Sequence, residues 1–82
     1  MAENKGLKGL LKAEGLMCVQ IDKRLIGDAG DYYYNIAFTT GKDIMLLTAG
    51  KVADCLELFK KYDLGLDFID KKLKIVDFRN VG

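Results

Sequence analysis

Hydrophobic and polar positions change their spacing several times along this 82-residue chain. Near the start, Leu7, Leu10 and Leu11 recur at helical spacing while Lys5, Lys8 and Lys12 line another face, so a short amphipathic helix is expected over residues 5–14. Gly6 and Gly9 each weaken such a helix by about 1 kcal/mol relative to alanine, which makes it dependent on docking. Gly15 stands where a C-terminal stop belongs.

From residue 16 to residue 26 the period falls to two, the mark of a half-buried strand. Met17, Val19 and Ile21 share the face expected to be buried, with Cys18, Gln20 and Asp22 on the other. The cluster Gly27, Asp28, Ala29, Gly30, Asp31 reads as a turn, because Gly and Asp suit turn backbone conformations. The clearest alternation follows over residues 32–40: Tyr32, Tyr34, Ile36 and Phe38 point one way, and Tyr33, Asn35, Ala37 and Thr39 the other. Gly41 and Lys42 connect it to a third strand over residues 44–47. These three strands are expected to form an antiparallel meander.

Thereafter the period lengthens. Val52, Leu56 and Phe59, joined by Cys55 and Tyr62, fall at helical spacing, with Thr48 as N-cap, acids early and Lys60 and Lys61 late, as a helix dipole prefers. A main helix over residues 49–62 is expected to cover the sheet. Residues 64–69 read either as a strand or as an extension of that helix. A polar turn at Asp70, Lys71 and Lys72 leads to a strand over 73–78, which suggests a hairpin over 66–78. The expected fold is α+β: a three-stranded antiparallel meander packed by one main helix, with a short N-terminal helix and one or two C-terminal strands. One domain spans residues 1–82.

Half the residues are hydrophobic and 30% are charged, a globular composition. The net charge is only +1 and no segment has a strong positive bias, which disfavours duplex binding. His and Ser are absent, and with them the commonest general base, the commonest transition-metal ligand and the serine nucleophile. Cys18 and Cys55 are too few for a four-cysteine zinc site or a secreted disulfide framework, so a cytoplasmic setting is expected. No signal peptide or membrane span is read, since the longest apolar run is residues 44–47.

Candidate chemistry is sparse. Cys55, on the apolar face of the expected helix, reads as a core side chain, and Cys18 as a thiol turned away from the core with no imidazole to activate it. The acidic pairs Asp28 with Asp31 and Asp67 with Asp70 read as turn chemistry rather than as a metal site. The feature expected to carry function is the triplet Tyr32, Tyr33, Tyr34. A strand sends Tyr33 to the outer face beside Asn35, as an apolar plate with a polar tip.

Neither enzyme, cofactor, metal nor small-molecule substrate is expected. The chain reads as a non-enzymatic binding module acting through protein–protein contacts, with another protein or with a second copy of itself as partner, in the manner of small regulators and inhibitors such as those carried by phages. The alternative is a single-stranded nucleic-acid binder, in which bases stack on Tyr33 and nearby lysines track the backbone, with affinity that falls steeply with salt. Tyr33, Asn35 and Lys42 are the binding residues expected in either case. No motif assigns the chain to a family.

Overall fold

The alternation that begins at the tyrosine triplet forms a strand in which Tyr34, Ile36 and Phe38 are buried while Tyr33 stays exposed. It is β2 (Asp31–Thr39) of a computed structural model that describes residues 7–81. Before it lies β1 (Leu11–Ile26), and after it come β3 (Ile44–Ala49), a 3₁₀ turn (Lys51–Cys55), β4 (Lys61–Ile69) and β5 (Lys72–Asn80). β1, β2 and β3 form an antiparallel meander. β5 then joins β3 in a short parallel contact, β4 pairs antiparallel with β5, and β4 returns to pair antiparallel with the first half of β1. The result is a closed barrel in the order β1-β2-β3-β5-β4.

This corrects the α+β expectation: no α-helix occurs among the described residues. The span 49–62 divides into the end of β3, the 3₁₀ turn and the start of β4. Val52, Ala53 and Leu56 do turn inward beneath the barrel, which is what gave the segment its helical spacing. A continuous helix stops there because Tyr62, Leu64 and Leu66 alternate as a strand, and burying them between β1 and β5 closes the barrel. Phe59, at φ +64°, breaks any helical path into β4. Cys55, placed in the core by the helix reading, is exposed as a result.

The expected helix over 5–14 is also overturned. Residues 5 and 6 lie outside the described residues, and Leu11 onward is strand. Gly15 is not a helix stop. With φ +67° it sits where the β1–β4 register shifts between Ala13 and Leu16, a β-bulge that bends the long strand so that it serves both halves of the barrel. The Gly15 N–H donates to Asp63 Oδ1 at 3.0 Å, and Asp63 is in turn held by Arg79 Nη2 at 2.9 Å. A second irregularity between Cys18 and Gln20 steps Val19 out of the ladder. Leu16 and Cys18 face the core before it and Ile21 packs against the core after it, so Cys18 is fully buried, the reverse of the expected face.

The core runs the length of the barrel. Phe38, Tyr62 and Phe78 meet edge to face, with centroids 6.5 and 5.5 Å apart. The β4–β5 turn places Asp70 and Lys71 both at positive φ, as a two-residue hairpin requires. No helix among the described residues is long and apolar enough to cross a membrane.

Candidate functional site

Strand pairing fixes which side chains stand together outside the barrel. Asp22 lies opposite Asn35, Asn35 opposite Thr48, and Thr48 opposite Lys74. Directly opposed residues share a face, so these four make one row across β1, β2, β3 and β5. Arg24 opposite Tyr33, and Leu46 opposite Ala37, flank the row.

Two concavities lie along this face. One, of about 400 Å³, is lined by Tyr33, Thr48, Ala49, Ile69, Asp70, Lys72 and Lys74. The other, of about 340 Å³, is lined by Asn35, Leu46, Leu47, Thr48 and Lys72. Thr48 and Lys72 belong to both, so the two form one open groove. Tyr33 is 36% exposed at one end and Leu46 79% exposed toward the other, with Asn35, Thr48 and Lys72 among the residues that line the space between them. The Thr48 hydroxyl donates to the Leu73 carbonyl at 3.3 Å, and its oxygen remains an acceptor toward the groove.

The structure therefore brings Tyr33 and Asn35 together and leaves Lys42 apart. Lys42 lies in the β2–β3 turn, where its N–H donates to Thr40 Oγ1. It is about 20 Å along β2 from Tyr33 at the usual strand rise. The cations that do line the groove are Lys72 and Lys74, which the sequence reading left aside. Their signal was the i, i+2 spacing at the start of the last strand, where one face carries Lys72 and Lys74 and the other Leu73 and Ile75.

A second polar cluster lies on the inner side of the same hairpin. Tyr32 and Tyr34 both donate to the Asp54 carboxylate, at 2.8 to 3.0 Å. Lys23 Nζ sits 4.2 Å from the centroid of the Tyr32 ring and Lys51 Nζ 5.8 Å from it. The hydrogen bonds from Tyr34 and then Tyr32 hold the Asp54 carboxyl below its ordinary range, and the same bond pushes the Tyr34 phenol up to about 12. Both phenols are engaged by the one carboxylate, so the cluster acts as a clamp between β2 and the 3₁₀ turn.

The remaining candidates separate. Burial pushes the Cys18 thiol up. Cys55 borders a shallow concavity of about 250 Å³ with Glu57, Lys60, Tyr62, Phe78 and Asn80. Asp67 Oδ1 accepts the Leu10 N–H at 2.8 Å, while Asp70 lies in the hairpin turn. No group of three or more Cys, Asp or Glu side chains gathers among the described residues as a metal site would require. No protein-family model, curated protein or solved structure matches the chain.

Proposed function

We propose that this protein binds single-stranded nucleic acid, without catalysis, along the groove formed by β2, β3 and β5. The observation that carries the reading is the Tyr33 ring in one groove with Lys72 and Lys74. A base stacked on an exposed aromatic ring gains about 1–3 kcal/mol, and the two ammonium groups stand where successive phosphates pass. Asn35 and Thr48 offer hydrogen-bonding atoms between them.

The barrel lends support of a second kind. A closed five-stranded barrel with β3 parallel to β5, and β4 pairing with both β5 and β1, has the connectivity of the oligonucleotide- and oligosaccharide-binding folds. These bind ligands on strands 2 and 3 and on the β1–β2 and β4–β5 loops. Fold alone assigns no ligand, so the weight rests on the residues. Two unpaired thiols suit a reducing, intracellular setting.

The test is fluorescence anisotropy of labelled single- and double-stranded oligonucleotides at low and moderate salt, with Tyr33→Ala and Lys72→Ala alongside. Single-strand binding weakened by both substitutions is the expected result. No binding at low salt overturns the reading. The earlier expectation of a protein-contact module would then come forward, supported by the exposed Ile44 and Leu46 side chains on β3.

A further inference from the structure

Among the described residues, the second half of β1 has a partner strand on only one side. Among the described residues, β4 pairs with β1 as far as Met17, and the Cys18 N–H and carbonyl bond Lys60 and Phe59. From Gln20 to Ile26 the strand has β2 on one edge and no strand of the described residues on the other. A long open edge is a template for another strand. Leu25 and Ile26 on this edge are 75% and 49% exposed.

We propose that this edge pairs with the same edge of a second copy, antiparallel and centred on Lys23, to make a two-fold dimer. The centring follows from charge. With Lys23 opposite its own counterpart, each Asp22 faces the Arg24 of the other copy and each Ile21 faces the other Leu25. Shifting the centre by one residue toward either end sets Asp22 against Asp22 or Arg24 against Arg24, which is repulsive. Asp22 and Arg24 already bond within one chain at 2.9 Å, so two copies build a two-by-two cluster of alternating charge.

The central Lys23 pair does not oppose this arrangement. Each Lys23 ammonium is drawn back over the Tyr32 ring of its own hairpin.

The ends of the paired region match as well. Ile26 of one copy falls opposite Gln20 of the other, where the free edge ends. The hairpin tip with Asp28 then meets Lys60 and Lys61 of the other copy. It also covers Leu58 and Phe59, which are 46% and 68% exposed. Because even-numbered residues face even-numbered ones, the two grooves lie on the same side of the joined sheet and run in opposite directions.

Sedimentation across a concentration series, with cross-linking in a Cys55→Ser background that leaves the buried Cys18 in place, tests the proposal. The expected mass doubles from 9.2 kDa as concentration rises. Under diamide, Lys23→Cys forms a covalent dimer by itself. Asp22→Cys and Arg24→Cys cross-link when mixed and not alone. Arg24→Glu weakens association by about tenfold, since two symmetry-related attractive pairs become repulsive, and the exchange Asp22→Arg with Arg24→Asp restores it. All these side chains are at the surface, and circular dichroism confirms that each variant is folded. A strictly monomeric species at every concentration overturns the proposal, as does Arg24→Cys cross-linking to itself in preference to Lys23→Cys.

Discussion

The Tyr34 phenol donates a 2.8 Å hydrogen bond to Asp54, and through that bond the 3₁₀ turn is fastened to β2. Tyr34 belongs to the core and Asp54 to the surface, so the contact lies on the rim where the barrel meets its floor. It fixes the strand whose next outward residue is Tyr33. The groove's stacking plate is thus held in place from the opposite face of β2.

The clamp makes stability depend on pH at both extremes. Asp54 has a lowered value in the folded chain, so its contribution is present above the ordinary carboxylate range and lost as pH falls through the folded value. Tyr34 has a raised value, so its contribution is complete below its ordinary 10.0 and lost as pH rises toward about 12. Thermal melts across pH are expected to show both losses. Tyr34→Phe lessens the alkaline one and leaves the part that Tyr32 contributes through the same carboxylate, and Asp54→Asn lessens both. An unchanged alkaline limb in Tyr34→Phe would refute the assignment.

The two thiols should differ sharply in reactivity. Cys18 is fully buried with its thiol pushed up, whereas Cys55 is exposed in the 3₁₀ turn. A chromogenic disulfide reagent is expected to titrate one thiol in the native protein and two in denaturant. Cys55→Ser removes the native reaction. Rapid modification of Cys18 in the folded state would contradict its placement in the barrel.

Gly65 lies where the segment before β1 crosses β4. A Cβ there would stand 1.8 Å from the Lys8 carbonyl oxygen. The crossing segment is pinned by the Lys8 N–H to Asp77 Oδ2 at 3.0 Å and the Leu10 N–H to Asp67 Oδ1 at 2.8 Å. Gly65→Ala is expected to cost about 1–3 kcal/mol by forcing the segment away from the strand. For a domain of this size each 1 kcal/mol lowers the melting temperature by about 4–8 °C. Calorimetry measures the loss, and faster hydrogen exchange at the Lys8 and Leu10 amides locates it.

How far the fold was legible follows from which contacts are local. β2 was readable because Tyr34, Ile36 and Phe38 face the core while Tyr33 and Asn35 face out, and that alternation survives in the barrel. The same alternation placed two of the three candidate site residues on one face. β4 was harder to read. Tyr62 through Leu66 are all buried, since the core covers one face and the segment around Lys8 the other, so its period was masked. Closure depends on β1 meeting β4 across some fifty residues of sequence, and no local spacing reports that. Gly15 gave a correct signal for positive φ, but a bulge uses that conformation as readily as a helix end. The lysines of the groove were missed because Lys72 and Lys74 reach it through the parallel contact of β3 with β5, which joins segments that no local spacing relates.

That pairing also sets how binding should respond to salt. The groove holds Lys72 and Lys74, and Lys42 stands apart at the far turn. The logarithm of affinity for a single strand falls with the logarithm of salt by about 0.7 per phosphate neutralised, so two contacts give a slope of about −1.4. This is shallower than a row of lysines would produce. Lys72→Ala and Lys74→Ala are each expected to reduce the slope by about 0.7, and Lys42→Ala to leave it unchanged. Tyr33→Ala should instead lower affinity by about tenfold or more at every salt concentration, because stacking releases no counterions. Anisotropy titrations at four or five salt concentrations separate the two effects. If Lys42→Ala alters the slope as much as Lys72→Ala, the strand runs along the whole of β2 to the far turn, and the groove between β2 and β5 is not its principal path.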